Sequence, residues 1–85
     1  MRYSVSFAPA ALRQFRKFPA AVQKRLSPHI DALAADPRPR GVVKLSGVSD
    51  IYRIRVGDYR IVYEIRDAVL VVLVLKIGDR RDVYR

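Results

Sequence analysis

Residues 51–66 read Ile51-Tyr52-Arg53-Ile54-Arg55-Val56-Gly57-Asp58-Tyr59-Arg60-Ile61-Val62-Tyr63-Glu64-Ile65-Arg66, and their period of two decides the fold. Such alternation marks a half-buried strand, and the Gly57-Asp58 break is a two-residue hairpin loop. Counting back from that loop puts Val56 opposite Tyr59 and Arg55 opposite Arg60. One sheet face then carries Ile51, Arg53, Arg55, Arg60, Val62, Glu64 and Arg66. The other carries Tyr52, Ile54, Val56, Tyr59, Ile61, Tyr63 and Ile65, and packs inward.

Downstream, Asp67-Ala68 separates this hairpin from Val69–Ile77, which completes a three-stranded antiparallel meander. That last segment is apolar on both parities, the pattern of a central strand covered on both sides. Upstream, Asp36-Pro37-Arg38-Pro39-Arg40-Gly41 is a helix stop. Val22, Leu26, Ile30 and Leu33 form an apolar helical stripe that Pro28 is expected to bend or split. A first helix opens at Pro9, with Leu12 and Phe15 on one face and Arg13, Arg16 and Lys17 on another, and ends at Phe18-Pro19. Tyr3 to Phe7 alternates as a first strand. The expected architecture is α+β, a two-layer sandwich: an N-terminal strand, a helical hairpin, then the three-stranded antiparallel meander. Residues 1–85 read as a single domain, with no repeat or linker.

The open face of the hairpin carries four arginines against one acid, Glu64. Arg55 and Arg60, about 5 Å apart, repel by roughly 1 kcal/mol in water and 3 kcal/mol at an effective dielectric near 20. A face that tolerates this repulsion suits an anion. An ordinary solvated face, relieved by Glu64 and by flexible side chains, is the bland alternative. The whole chain has the same bias: 17 Lys plus Arg against 8 Asp plus Glu, a formal charge of +9. Thirteen of the 17 are Arg, the side chain whose planar fork grips phosphate. The partner is therefore expected to be a nucleic acid or an acidic protein segment.

Several chemistries have little to work with. The chain has no cysteine and a single histidine, His29, which leaves no thiolate, no disulfide and a poor basis for a metal centre or His-based triad. His29, beside Ile30, reads as a structural residue. Asp79 and Asp82 are poorly placed for a hard cation among so many arginines, so neither metal nor cofactor is expected. Apolar runs are too short to cross a bilayer and the first residues lack a signal-peptide core; a small soluble cytoplasmic domain is the expectation. After the last strand, Gly78 lets the chain turn and Arg80 or Arg81 can swing over the basic face. Tyr84 is open to two readings, a catalytic hydroxyl or a terminal aromatic on the core edge.

Three segments carry a resemblance: Lys44-Leu45-Ser46-Gly47, residues 51–64, and Lys76-Ile77-Gly78-Asp79-Arg80-Arg81-Asp82-Val83-Tyr84-Arg85. With them the chain resembles the RelE side of the RelE/ParE toxin superfamily over essentially its whole length. The basic-x-basic strand followed by Gly-x-Tyr-Arg is the more specific part. The resemblance implies a type II toxin that is a ribosome-dependent endoribonuclease cleaving mRNA, and a cognate antitoxin with an acidic or amphipathic segment. It places Arg53 and Arg55 at the two basic strand positions and Arg60 at the phosphate-clamping arginine. Arg80 falls at the arginine after the glycine, and Tyr84 at the terminal tyrosine. The sequence departs where Asp79 follows the glycine, since many relatives have histidine there, and in lacking the extra C-terminal helix of some relatives.

Those positions suit metal-free attack by the RNA 2′-hydroxyl. Tyr84 is the candidate base and Arg80 the acid or leaving-oxygen stabiliser; Arg55 and Arg60 clamp the phosphate, and Arg53 holds the backbone. Arg13, Arg16, Lys17 and Arg81 are candidate RNA-binding residues. Lys24 and Arg25 fit ribosome docking or a solvated helix face. A ParE-type inhibitor of DNA gyrase, or a catalytically silent RNA- or ribosome-binding module, are the alternatives.

Overall fold

The computed structural model describes residues 2–45, 47 and 50–79. The elements run β1 (Ser4–Phe7), α1 (Pro9–Lys17), α2 (Ala20–Ala32), β2 (Val43–Lys44), β3 (Ile51–Val56), β4 (Tyr59–Arg66) and β5 (Val71–Asp79). The strands form one sheet in the order β1-β5-β4-β3-β2. The expected meander is thus the middle of a five-stranded mixed sheet. β1 lies parallel on β5, and β2 adds two residues to the outer side of β3.

Both helices cover one face of this sheet. Ala11 of α1, Leu26 and Ile30 of α2, and Leu33 just beyond it pack against Tyr52, Ile54, Val56, Ile61, Tyr63, Ile65, Val72, Val74 and Ile77. Fully burying an aliphatic or aromatic side chain of this size contributes about 1.5–3 kcal/mol before ordering entropy is counted. The inward set is the one expected from alternation, so the two faces are assigned by the strands' own period.

The helices begin and end as their prolines dictate. Pro9 sits in the first turn of α1, where its missing N–H is no loss, and Arg16 and Lys17 fall in the last turn, where cations suit the helix dipole. Phe18 and Pro19 are extended and start α2. Pro28 does not split α2, which runs unbroken through it. Pro28 and Lys24 are both on the solvent side, so the Lys24 carbonyl that loses its amide partner can be hydrated instead. His29 is likewise exposed rather than buried, being on the solvent side of the stripe that Leu26 and Ile30 define.

The β3–β4 register is Val56↔Tyr59, Arg55↔Arg60, Ile54↔Ile61, Arg53↔Val62 and Ile51↔Glu64. Gly57 has φ +60°, as the first central residue of a type II′ hairpin turn requires. The Arg25 guanidinium lies over Gly57 where a Cβ would be, but it ends a flexible side chain that can swing aside, so the positive φ is what disfavours a larger residue there. The β4–β5 connection is longer than two residues: Asp67–Val69 make a single 3₁₀ turn and Leu70 adopts φ +54°. Leu70 is held there as its carbonyl accepts the Ser4 N–H at 2.8 Å.

β5 departs most from expectation. It lies between β1 and β4, but only one face is covered: Val72, Val74 and Ile77 are buried, whereas Val71, Leu73 and Leu75 are half-buried on a sheet face with no helix over it. Apolar character on both parities has a second cause, a bulge. The register passes from Tyr63↔Val74 to Val62↔Lys76, so β5 has one residue more than β4 there, and the inward parity switches from even to odd numbers. Gly78 is not a turn residue; it continues β5 opposite Arg60.

Candidate nucleic-acid interface

Backbone pairing fixes how closely the arginines approach. Ile65 N–H donates to the Asp50 carbonyl, so the even-numbered residues of β3 bond to β4. Arg55 and Arg60 therefore face one another as a non-hydrogen-bonded pair, the arrangement with the shorter Cα separation, about 4.5 Å. The structure brings Arg53, Arg55 and Arg60 together on the open face in the grid expected from the hairpin. A groove of about 150 Å³ on that face is lined by Leu45, Arg53, Arg60, Val62, Lys76 and Gly78. A second, of about 230 Å³ at the sheet edge, is lined by Arg40, Gly41, Val43, Arg53, Ile54 and Arg55.

Arg53 lines both grooves. Its Nε is buried and has no hydrogen-bond partner, an unfavourable state for a charged donor unless an acceptor is supplied from outside. Glu64 does not relieve the cluster: its Oε1 accepts from Arg66 Nε at 3.1 Å, on its own strand. The other described ion pairs, Arg38–Asp67 and Lys44–Asp50, also leave out Arg53, Arg55 and Arg60.

Arg13, Arg16 and Lys17 are exposed on α1, in the helical layer and across the sheet from this cluster. Arg80, Arg81 and Tyr84 lie outside the described residues. Sequence reading missed Lys76, which the β5 bulge turns outward, and Arg40, which sits in the Pro-rich segment. The signal for Lys76 was available in principle: a lone cation inside an otherwise apolar strand marks a break in parity.

The described tyrosines near the core are engaged elsewhere. Tyr63 hydroxyl donates to the Pro37 carbonyl at 2.7 Å, and burial pushes its pKa well up. Tyr52 hydroxyl accepts from Arg38 Nε at 3.1 Å, on the helix-covered face. Arg38 also reaches both carboxylate oxygens of Asp67, at 2.9 and 3.3 Å, and Tyr3 hydroxyl donates to Asp67 at 2.5 Å. The Arg38 guanidinium, then the Tyr3 hydroxyl, hold the Asp67 carboxyl below its ordinary range, while the bond to Asp67 raises Tyr3. This clamp joins the loop after α2 to β1 and to the β4–β5 connection.

A small α+β protein with helices on one side of a sheet and, on the other, Arg53, Arg55 and Arg60 outside every ion pair of the described residues belongs to the class of small domains whose open sheet face suits an anion. Comparison with known proteins narrows that class. The family model described as the ParE toxin of the type II toxin–antitoxin system, parDE, matches residues 5–84. The chain is 33% identical over 88 residues to the mRNA interferase toxin RelE of Escherichia coli, covering 99% of this chain and 92% of that one. Among solved structures, the archaeal RelE–RelB complex from Pyrococcus horikoshii superposes with a TM-score of 0.83 at 33% identity, over 94% of this chain and 97% of that chain. The intact E. coli RelBE toxin–antitoxin complex gives 0.79 at 32% identity, over 91% and 95%. The protein belongs to the RelE/ParE superfamily of type II toxins.

Proposed function

We propose that this toxin is a ribosome-dependent endoribonuclease that cleaves mRNA through the RNA's own 2′-hydroxyl and so inhibits translation. The observation that carries the reading is the Arg53, Arg55 and Arg60 cluster, closely apposed, without an acid partner among the described residues and with one buried donor unsatisfied. Identity to an mRNA interferase over nearly the full chain supports the same choice. RelB-bound RelE structures support a cognate antitoxin as the partner, and an acidic or amphipathic segment suits a +9 chain. The site of action is the cytoplasm, where ribosomes and mRNA meet; no helix among the described residues is long and apolar enough to cross a membrane.

In the proposed step the 2′-oxygen attacks the adjacent phosphorus, the P–O5′ bond breaks, and a 2′,3′-cyclic phosphate and a 5′-hydroxyl remain. Arg60 and Arg55 neutralise the charge that builds on the non-bridging oxygens, and Arg53 holds the neighbouring backbone. Tyr84 removes the 2′-hydroxyl proton. Arg80 stabilises the leaving 5′-oxygen, which takes its proton from water because a guanidinium scarcely releases one, and Arg81 contacts RNA. Arg13, Arg16 and Lys17, on the other layer, contact the ribosome rather than the reacting phosphate. Cations line the groove, whereas a hard metal ion asks for oxygen ligands. An open face cannot by itself bend flexible RNA into line, so the ribosome supplies that geometry.

The test uses programmed ribosomes at their working magnesium concentration, with mRNA carrying either all ribose or one 2′-deoxy nucleotide at the cut site. Cleavage of the ribose substrate alone, with cyclic-phosphate and 5′-hydroxyl ends, is expected. Cutting of the deoxy substrate, or 5′-phosphate ends, would overturn the mechanism. DNA breaks in induced cells with intact mRNA would point instead to gyrase.

A further inference from the structure

β5 lies between β1 and β4 only as far as Val74, where β1 ends, and Lys76 falls just beyond, paired with Val62 of β4. Its place on the open face has to be arranged. Val72 and Val74 point to the helices, and uninterrupted alternation would send Lys76 inward with them. The bulge prevents this: Ile77 is 2% exposed and Lys76 is at the surface. Past the bulge the Ile77 N–H faces away from β4, beyond the end of β1, and α1 meets it there: it donates to Gln14 Oε1 at 3.0 Å across 63 residues of sequence. Bulges of this kind are used beside functional sites to re-aim a side chain.

The result is a two-row grid on the open face. One row reads Val43, Arg53, Val62, Lys76 across four strands; the next reads Arg55, Arg60, Gly78 across three. With strands about 4.8 Å apart, Lys76 and Arg53 stand roughly 10 Å from one another with Val62 between them. Gly78 leaves the position beside Arg60 bare, and a Cβ built there meets nothing within 4 Å. Lys76 joins no ion pair among the described residues; Glu64, Asp67 and Asp50 are engaged with Arg66, Arg38 and Lys44.

We infer that Lys76, turned outward by the Gln14-latched bulge, is a further RNA-binding residue that contacts the phosphate next to the one clamped at Arg60. The bare slot at Gly78 lets the chain of the RNA pass between them. This rests on the ribonuclease reading above and adds to it a residue and a direction: the strand runs from the Arg53–Arg55 side across Val62 and Gly78 toward β5.

The experiment measures binding of a labelled single-stranded RNA, 2′-deoxy throughout the cut region, as a function of salt, for the native protein and for Lys76→Met and Lys76→Arg. Lys76→Met keeps the stem and removes the charge; it should weaken binding about fivefold at low salt and reduce the slope of log affinity against log salt by about 0.7, the share of one phosphate. Lys76→Arg should restore both, and thermal unfolding should be the same for all three. On programmed ribosomes Lys76→Met should raise KM and leave kcat within about twofold. An unchanged salt slope in Lys76→Met, with native cleavage intact, overturns the assignment of Lys76 alone. If the native protein neither binds the RNA nor cuts on ribosomes, the ribonuclease reading fails and takes this inference with it.

Discussion

Arg38 and Arg55 belong to the same small sheet protein and live in opposite electrostatic worlds. Arg38 is satisfied on every side: a bidentate pair with Asp67, a hydrogen bond to Tyr52, and that ring 5.2 Å from its guanidinium carbon. Arg55 faces Arg60 across the strand pair with no acid partner among the described residues. Where the fold needs an arginine for itself it supplies counter-charge and acceptors; around Arg53, Arg55 and Arg60 no ion pair of the described residues does so. Charge left uncompensated in a small domain works against folding, so its presence points to a partner that brings the missing anions.

The sharpest way to break this contrast is to delete an arginine from the uncompensated set. Arg60→Ala should lower ribosomal mRNA cleavage by about 10²–10³-fold, the usual loss for one transition-state donor. Its urea midpoint should stay level or rise, because a like-charge contact is removed. Arg60→Lys should recover only part of the activity, since an ammonium cannot form the bidentate fork. A fully active, well-folded Arg60→Ala protein would erase the distinction drawn here.

At the satisfied end the signs reverse. Tyr63→Phe leaves the Pro37 carbonyl without its buried donor and should destabilise by about 1–2 kcal/mol in urea unfolding. Cleavage per folded molecule should be unaffected. Arg38→Met should move stability in the same direction and likewise spare cleavage, as Arg38 lies on the other side of the sheet from Arg53 and Arg60. Loss of cleavage in either folded variant would mean that the two regions are coupled.

The smallest effect is a pH dependence of the clamp. Asp67 has a folded pKa held below its unfolded value near 3.9, so its contribution is present above that value and is lost as pH falls through the folded pKa. Tyr3 is raised, so its contribution is present below about 10 and is lost as pH rises through its folded pKa. Urea midpoints should therefore soften at both extremes. Asp67→Asn should flatten the acid limb, and an unaltered acid limb would show that the clamp contributes nothing there.

How legible all this is in sequence varies with the range of the interaction. The hairpin could be read to the residue, because alternation and a two-residue turn fix faces and register locally, and Arg53, Arg55 and Arg60 follow from that register. β2 could not, since two residues show no period and Val43 and Lys44 are strand only through pairing with β3. The Arg38 clamp was hidden because its partners are 14 and 29 residues away and its own segment reads as a helix breaker. Lys76 was hidden by the bulge, whose stabilising contact comes from Gln14 in another layer. His29 beside Ile30 shows the limit of adjacency: one step along a helix moves a side chain from core to solvent.

The pairing of β1 with β5 sets a clock. Ser4 is matched to Val71, 67 positions later, and at about 5–20 residues per second of synthesis that interval is roughly 3–13 s. Through that time β1 has no neighbour, and the sheet lacks the strand that carries Lys76 and Gly78. Such non-local closure also makes the last folding step slow compared with forming the helices or the β3–β4 hairpin. The arginine pair is therefore synthesised before the strand that completes the binding face. For a protein proposed to cut mRNA on ribosomes, this chain order leaves the binding face incomplete until residue 79 has been made.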